Sequence, residues 1–430
     1  MARKMKDSGI EWIGEIPEGW EVSQLKYATR WKSEKGCPDA PVLSLYRDFG
    51  VVLKDSRDDN HNVTSLDTSN YKVVDIGDLV INKMKAWQGS MAVSDYRGIV
   101  SPAYHVCSIT SNKVNKRYLH HLLRNPAYLP EYARLSTGMR IGQWDLGFDD
   151  FKNIPFLIPP LDEQAKIADY LDNGCASLDA MLSKTRSSIE EYKKLKQAVI
   201  TQAVTKGVRG EREMKDSGVE WIGEIPKKWN RCKLNSICTF INGDRSKNYP
   251  SSEDFQDIGI PFIGADSLNG FFVDTYSARH ISPAKYASMG GLKITQGDIL
   301  YTLRGSTIGK NAIANFNDGT IASSLVGIRV KSPFLANSSF LFYWLNSLNE
   351  FVQRDLCING STAPNLSAEN VAQFFIYIPD ITEQHEIADY LDAKCAEIDG
   401  LIAKKEQLTK ELESYKKSLI YEVVTGKREV

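Results

Sequence analysis

The sequence lacks the features that mark membrane and secreted proteins. No run of about 18 apolar residues is present, and the opening residues MARKMKDSGIEW contain no apolar signal-peptide core. We therefore expect a cytoplasmic protein without a membrane partner. Hydrophobic residues make up 42% of the 430 positions and charged residues 25%, which is typical of two or three folded domains rather than of a disordered chain.

Residues that could perform metal or redox chemistry are few and scattered. The seven cysteines form no C-x-x-C pair, so we expect reduced thiols rather than disulfides or zinc ligands. The segment GSTIGKN differs from a phosphate-binding loop, because three residues instead of four separate its glycines and Asn311 stands where Ser or Thr would bind magnesium. His385 lacks the second histidine of a zinc-protease helix. We expect no catalytic residue, no metal site and no cofactor in this chain.

The net charge of −1 gives no overall excess of basic residues, so a nucleic-acid surface would have to be local. Residues 113–140 contain six Lys and Arg residues against one acidic residue, with Tyr and His between them. Residues 275–331 contain seven against two. Solvated helix and loop faces explain either run alone equally well, but two such runs in the two halves of the chain favour nucleic-acid binding.

Two sequence signatures occur twice. MKDSGIEWIGEIP at residues 5–17 recurs as MKDSGVEWIGEIP at residues 214–226, with 12 of 13 positions identical. EQAKIADYLD at residues 163–172 recurs as EQHEIADYLD at residues 383–392, with 8 of 10 identical. The offset grows from 209 to 220, so the second copy has 11 more residues between its signatures. Each copy therefore consists of an opening signature, a body and a tail.

The tails are predicted to be long helices. Asp162 and Thr382 each offer an oxygen that could cap a helix start. Beyond them, apolar or small residues recur at alternating steps of 4 and 3, which is a heptad pattern. About 44 residues at 1.5 Å each span roughly 65 Å. The apolar seam consists of Leu171, Leu178, Leu182, Ile189 and Val199 in the first tail and Leu391, Ile398, Ile402, Leu412 and Leu419 in the second.

A helix with so narrow an apolar seam needs a partner along its length. The other tail is the expected partner. Because the first helix must run from the first body to the second and the second helix must return, the two are predicted to pair antiparallel. The alternative is that each helix folds onto its own body.

The bodies are predicted to be mixed α/β. The runs YKVVDIGDLVINKM and GLKITQGDILYTL cluster β-branched residues around a Gly-Asp turn, which is typical of paired strands. Stretches such as NKRYLHHLLRNPAYLPEYARL have helical spacing. The tryptophans of the opening signatures, Trp12, Trp20, Trp221 and Trp229, are expected to pack against each body rather than to bind a ligand.

The order of these segments resembles the specificity subunit of a type I restriction-modification system. Each body begins with an SGIEWIGEIP-like segment, contains a strand-turn-strand such as GDILYTLRGSTIGK, and ends in a PPL-x-EQ-x-x-I-A-x-x-L helix. The resemblance covers nearly the whole chain. Asp380 and Ile381 replace the second Pro and Leu of PPL, and the first body has NKMKAWQGSMAV where the second has YTLRGSTIGKNAI.

The resemblance implies two globular α/β target-recognition domains separated by a long antiparallel two-helix coiled coil, as a pseudo-two-fold internal repeat. The expected boundaries are residues 1–160 and 211–380 for the two domains. Residues 161–210 would form the central spacer helix, and residues 381–430 the C-terminal spacer helix that pairs with it.

The resemblance also implies a non-catalytic role in phage defence. Each domain would read one half of a bipartite, asymmetric target in double-stranded DNA. The helices would dock two modification (methyltransferase) subunits, and restriction (motor-nuclease) subunits would complete the complex. S-adenosylmethionine, ATP and magnesium would be used by those partner subunits.

The residues expected to contact DNA lie in one turn and one loop of each body. In the second body, Arg304 suits a guanine, Ser306 and Thr307 offer small hydroxyls, and Lys310 suits a phosphate. The equivalent turn of the first body offers Lys83, Lys85, Trp87 and Gln88. The loops before the tails add Arg140, Gln143 and Trp144 in the first body and Asn359, Ser361 and Thr362 in the second. Any single one of these is equally well explained as an exposed loop residue.

A protein of another class would be a scaffold whose two bodies bind two copies of a protein partner and no DNA. The basic runs discriminate between the two functions, because such a scaffold does not need them. A standalone nuclease or methyltransferase is disfavoured, since the sequence has no metal cluster and no cofactor loop.

Overall fold

The computed structural model describes residues 3–47, 49–56, 64, 67–138, 144–358 and 365–430. The chain divides into two compact units: unit one is Met1–Arg186 with Gln407–Val430, and unit two is Ser187–Glu406. Both units combine helices with short strands, as the sequence predicts. Within the described ranges, no helix is long and apolar enough to span a membrane.

Unit one is built around a four-stranded antiparallel sheet. The strands lie in the order Thr29–Lys32, Tyr104–Ile109, Asp78–Asn82 and Met91–Val93. The other strands are Met5–Asp7, Glu15–Pro17, Glu21–Gln24, Leu43–Tyr46, Gly50–Leu53, Lys72–Val74, Gly98–Val100, Ser136–Thr137, Asp145–Leu146 and Pro155–Ile158. The α-helices of the body are Lys116–Leu123, Leu129–Leu135 and Phe148–Phe151.

Unit two contains an equivalent four-stranded antiparallel sheet. Its order is Cys238–Asn242, Leu325–Val330, Ile299–Thr302 and Asn311–Ile313. A second sheet orders Phe255–Gln256, Arg279–Ile281, Ile260–Ile263 and Thr320–Ile321, the last pair being parallel. The other strands are Met214–Asp216, Glu224–Pro226, Asn230–Lys233 and Phe375–Ile378. The α-helices of the body are Leu234–Ile237, Pro283–Ser288, Ser338–Leu345, Leu348–Cys357 and Ala368–Gln373.

The Gly-Asp pairs begin a buried inner strand in each sheet. Gly77 and Gly297 have φ of 89° and 93°, which a residue with a side chain adopts only with strain. The carboxylate of Asp78 accepts a hydrogen bond from Lys32 Nζ at 2.9 Å, and that of Asp298 accepts from Arg329 Nε at 2.7 Å. The pair therefore fixes both the turn and the start of the strand.

Each opening signature forms a small antiparallel hairpin with the same register in both units. Met5 pairs with Pro17, and Met214 pairs with Pro226. The hairpin brings a tryptophan into the core immediately afterwards: Trp20 is completely buried and Trp229 is 1% exposed. The prediction that these tryptophans pack is confirmed for this pair.

The two repeated signatures meet at the start of each long helix. In unit one, Glu163 accepts hydrogen bonds from Trp20 Nε1 at 3.0 Å and from Arg3 Nη2 at 2.8 Å. In unit two, Glu383 accepts a hydrogen bond from Trp229 Nε1 at 3.3 Å and pairs with Arg212. In each unit, this carboxylate therefore joins the helix to the opening segment.

The glutamine that follows the carboxylate is buried in both units and bonds to backbone. Gln164 Oε1 accepts from Asn115 N at 2.7 Å, and Gln164 Nε2 donates to Pro159 O at 2.7 Å. Gln384 repeats these contacts with Asn337 N at 2.9 Å and Pro379 O at 3.1 Å. The glutamine thus ties the helix start to the cap of a body helix.

The last residue of the second signature also contacts the body. Asp172 accepts a hydrogen bond from His121 Nε2 at 2.6 Å, and Asp392 accepts one from the Tyr343 hydroxyl at 2.5 Å. The hydrogen bond from His121, together with Arg117, lowers the pKa of Asp172 to about 2, against the effect of burial. The repeated EQ-x-x-I-A-D-Y-L-D pattern is therefore a joint between helix and body.

The long helices run Leu161–Lys206 and Ile381–Val424. They begin immediately after Pro160 and Asp380, so Asp162 and Thr382 lie inside the first turn. The expectation that these two residues cap the helices was wrong. Asp380 caps the second helix instead, because its Oδ1 accepts from Glu383 N at 2.9 Å.

Each unit contains one half of both long helices, and the halves pair antiparallel. In unit one, Asp179 pairs with Lys416 at 2.6 Å, and Arg186 pairs with Glu413 at 2.6 Å. In unit two, Lys196 pairs with Asp399 at 2.6 Å. The predicted antiparallel pair is confirmed. Each helix start also packs into the core of its own body, so the pairing and the alternative of folding onto the body are both realised.

The residues of the predicted seam are either buried or half-buried. The buried ones are Leu171, Leu178, Leu182, Ile189, Leu391, Ile398 and Leu419. The half-buried ones are Val199, Ile402 and Leu412.

Gln164→Ala should loosen the joint of unit one. The change leaves backbone groups at Asn115 and Pro159 without their partner, which costs about 1–3 kcal/mol. Hydrogen exchange followed by mass spectrometry should show faster exchange around residues 113–123 and 160–170. Gln407→Ala, at an exposed position of the same unit, should change exchange little. Equal exchange in both variants would contradict a structural role for Gln164.

Candidate nucleic-acid interface

The turn of residues 303–310, here the unit-two turn, connects two strands of the four-stranded sheet. Thr302 N donates to Lys310 O at 2.9 Å, and Gly309 N donates to Thr302 O at 3.0 Å. Between these bonds, Arg304, Ser306 and Thr307 are exposed. The turn therefore presents a guanidinium and two hydroxyls on a backbone that is fixed at its base.

The unit-two turn is held by the residues that follow position 364. Leu366 N donates to Leu303 O at 2.9 Å, and Arg304 Nε donates to Asn365 Oδ1 at 3.1 Å. Asn365 thus orients the guanidinium of Arg304 through one nitrogen. The two terminal nitrogens of Arg304 have no hydrogen-bond acceptor among the residues that the structure describes.

Lys310 faces another part of the same unit. Its ammonium donates to Ala265 O at 3.1 Å and to Asn269 Oδ1 at 2.7 Å. These bonds tie the end of the turn to the segment around Ala265–Ser267. The phosphate contact expected of Lys310 stays a prediction, and its ammonium already serves two acceptors of the protein.

The turn of residues 83–90, here the unit-one turn, has the same support. Leu146 N donates to Lys83 O at 3.0 Å, and Lys83 Nζ lies 3.1 Å from Asp145 Oδ2. The rings of Trp87 and Trp144 meet edge to face with centroids 5.0 Å apart. The structure therefore brings Trp144, from the predicted loop before the tail, against Trp87 of the predicted turn.

The supporting contact is the same in the two units. Lys83 and Leu303 are separated by the offset of 220 that relates the second signatures, and so are Leu146 and Leu366. The same offset relates Asp145 to Asn365, the two residues that hold Lys83 and Arg304. Sequence reasoning overlooked Asp145 and Asn365, although this offset could have identified them.

The remaining predicted residues fall into two groups. Lys85 is exposed and Gln88 is half-buried, both in the unit-one turn. The other five lie outside the described residues: Arg140, Gln143, Asn359, Ser361 and Thr362.

An aromatic cluster that sequence reasoning missed adjoins the unit-one turn. The Trp31 ring is tilted against His105 and meets Phe148 edge to face, at centroid distances of 4.8 and 4.5 Å, and Lys72 Nζ lies 5.1 Å from its ring centre. His105 Nε2 lies 3.1 Å from Leu146 O, and burial lowers the pKa of this histidine. A neutral His105 is the form that suits so buried a ring.

A buried carboxylate lies beside the unit-two turn. Glu350 is 2% exposed, and its carboxylate accepts from the Tyr301 hydroxyl and from Arg354 Nε, the latter at 3.0 Å. Burial raises the pKa of Glu350 to about 7, although Arg354 and Tyr301 act in the opposite direction. Among the described residues, no group of three or more His, Cys, Asp or Glu side chains is arranged to hold a metal ion.

Comparison with known proteins places the chain in a family. The model of the type I restriction modification DNA specificity domain matches residues 17–191 and 226–413. The MjaVIII type I restriction enzyme specificity subunit of Methanocaldococcus jannaschii is 26% identical over 96% of this chain and 93% of its own length. The EcoBI specificity subunit of Escherichia coli is 27% identical over 71% of this chain and 66% of its own length.

A solved structure has a similar fold. A chain from a structural study of complex assembly and conformational transition of the type I R-M system aligns with a TM-score of 0.70 at 18% identity. The alignment covers 96% of this chain and 99% of that one. The chain belongs to the type I restriction-modification DNA specificity family. It is a non-catalytic specificity subunit, a class that recognises DNA targets.

Glu350 should make the stability of unit two depend on pH. Its pKa in the folded chain, about 7, lies above the ordinary 4.5, so its contribution is fully present below about pH 4.5 and is lost as the pH rises through about 7. Relative to Glu350→Gln, the wild type should lose up to about 3 kcal/mol between about pH 5 and pH 8. Urea unfolding at both pH values measures this difference.

The control for this experiment is Glu220→Gln, at an exposed position in the same unit. Its difference from the wild type at the two pH values is the baseline for removing a surface carboxylate. A difference for Glu350→Gln that varies with pH no more than this baseline would contradict a raised pKa.

Proposed function

We propose that each unit reads one half of a bipartite, asymmetric sequence in double-stranded DNA. The observation that carries this proposal is the pair of turns held by the same backbone contact, Leu146 to Lys83 and Leu366 to Leu303. The frame is shared, whereas the side chains on it differ, with Lys83, Lys85 and Trp87 on one turn and Arg304, Ser306 and Thr307 on the other. Different side chains on one frame suit two different half-sites.

The long helices serve as the spacer between the half-sites. Two readers held a fixed distance apart select half-sites with a fixed gap, as in other two-headed DNA-binding proteins. The continuity of Leu161–Lys206 and Ile381–Val424 supports this role. The ion pairs of Asp179 with Lys416 and of Lys196 with Asp399 support a fixed register of the helix pair.

The same chain docks two modification subunits. The largely buried joint between signature and helix occurs once in each unit with equivalent contacts, so the surface around one joint is repeated around the other and offers a second docking site. Restriction subunits join this complex in the cytoplasm. S-adenosylmethionine, ATP and magnesium belong to those partners, which perform the chemistry.

A map of methylated adenines tests the proposal. The chain is co-expressed with a type I modification subunit, and the host genome is sequenced by a single-molecule method that detects methyladenine. A bipartite motif with a fixed gap is the expected result. A stable complex that leaves no methylated motif would instead favour the two-headed protein scaffold.

Arg304→Ala should relax one base position in a single half-site. Arginine distinguishes guanine from other bases through a pair of hydrogen bonds worth about 1–3 kcal/mol. Methylation at sites with a substituted base at that position should therefore rise roughly 5- to 150-fold relative to the full motif. The other half-site is the internal control and should keep its sequence. An unchanged motif would show that Arg304 does not contribute to base recognition.

A further inference from the structure

The helix Leu348–Cys357 carries an arginine in its last turn that is oriented by a buried carboxylate. The side chain of Glu350 is 3% exposed and that of Arg354 is 15% exposed. Arg354 Nε donates to Glu350 Oε1 at 3.0 Å, and the Arg354 guanidinium stacks over Phe351 with Cζ 5.0 Å from the ring centre. A guanidinium that is bonded on one edge and stacked on one face has a defined position, which suits recognition better than a mobile cation does.

Arg354 lies directly against the unit-two turn. A Cβ atom added at Gly309 would come within 2.6 Å of Arg354 Nε and 2.8 Å of Arg354 Cζ. Gly309 also has a φ of 88°, so both its conformation and its surroundings require glycine. The glycine therefore makes room for the arginine beside the backbone of the turn.

The outer edge of Arg354 is available to a ligand. Its Nε is occupied by Glu350, but within the described part of the chain neither terminal nitrogen has a hydrogen-bond acceptor. Lys310, on the same turn, differs in this respect because its ammonium donates to Ala265 and Asn269. Arg354 therefore has two terminal nitrogens without an acceptor, whereas the Lys310 ammonium has a single N–H left.

Unit one has a related arrangement. Arg134, in the last turn of Leu129–Leu135, donates through Nε and Nη2 to the buried Glu131, both at 2.7 Å. The first residue of that helix touches the unit-one turn, since a Cβ at Gly89 would lie 2.8 Å from Leu129 Cδ2. The Glu and Arg are three residues apart here and four apart in unit two. Both units therefore present an arginine, paired with a buried glutamate, from the helix that packs on the turn.

We propose that Arg354 binds a DNA phosphate and thereby seats the unit-two turn on the backbone of the duplex. The proposal rests on the proposed DNA-reading function of unit two. A phosphate is favoured over a base, because Arg304, Ser306 and Thr307 occupy the exposed part of the turn whereas Arg354 approaches from the adjoining helix. Phosphate contacts position a protein on DNA, and base contacts specify the sequence.

The test measures the salt dependence of DNA binding by the complex with the modification subunit. The probe is a fluorescent duplex that carries the motif identified by the methylation map. Its binding is measured between about 50 and 200 mM salt. Removing one phosphate contact by Arg354→Ala should reduce the slope of log affinity against log salt by about 1 and weaken binding about eightfold at 0.1 M salt. The methylation motif should remain the same.

Three further variants separate the possible causes. Arg354→Lys keeps the charge and should restore the slope. Arg231→Ala removes an exposed cation that stacks on Phe375 in the same unit, and it should leave the slope unchanged. The double change Glu350→Gln with Arg354→Ala leaves no unpaired buried carboxylate, so it should show the same loss of slope with a smaller loss of stability than Arg354→Ala alone.

The outcomes distinguish this inference from the function on which it rests. An unchanged slope in Arg354→Ala and in the double variant would overturn the phosphate contact. A relaxed base position would also overturn it, because Arg354 would then read sequence. A wild-type complex that binds no duplex would refute the proposed function itself, whatever the variants do.

Discussion

In each unit, one carboxylate joins the long helix to the body. Glu163 accepts hydrogen bonds from the Trp20 indole and from Arg3. Glu383 accepts a hydrogen bond from the Trp229 indole and forms an ion pair with Arg212. The carboxylate lies in the first turn of the helix, where the helix dipole favours negative charge, and the arginine of each joint balances that charge. The adjoining glutamine, Gln164 or Gln384, extends the joint to a body helix. The residues that begin the helix therefore also hold the body, with its sheet and turn, in a fixed orientation relative to the helix start.

The helix pair depends on these joints, since its own contacts are modest. Its seam is narrow, and its ion pairs are largely exposed, which makes each worth about 0–1 kcal/mol. Asp179 with Lys416 and Asp399 with Lys196 are the same pair in two copies, related by the offset of 220. The two lysines stand at heptad positions, where their aliphatic stems can cover the seam while their ammonium groups reach the other helix. Such pairs select an antiparallel register more than they add stability.

The internal repeat made much of this fold predictable. Two signatures in a fixed order, a heptad pattern and Gly-Asp turns sufficed for the mixed α/β bodies and the antiparallel helices. The capping residues were misassigned, because the helices begin at Leu161 and Ile381, which places Asp162 and Thr382 inside the first turn. Glu350 and Arg354 could not be predicted as a site. Their spacing suits an ordinary surface ion pair, and only the burial of Glu350 beside Tyr301 distinguishes it.

The repeat also explains which parts of the candidate site can vary. The contacts that hold each turn use backbone atoms, Leu146 N to Lys83 O and Leu366 N to Leu303 O, so they do not depend on the side chains of the exposed turn residues. The side chains that hold Lys83 and Arg304 also differ between the units, since Asp145 is a carboxylate and Asn365 is an amide. A frame held through its backbone leaves the exposed positions free to change without loss of the fold. This is the physical condition under which one architecture can present two different surfaces in a single chain.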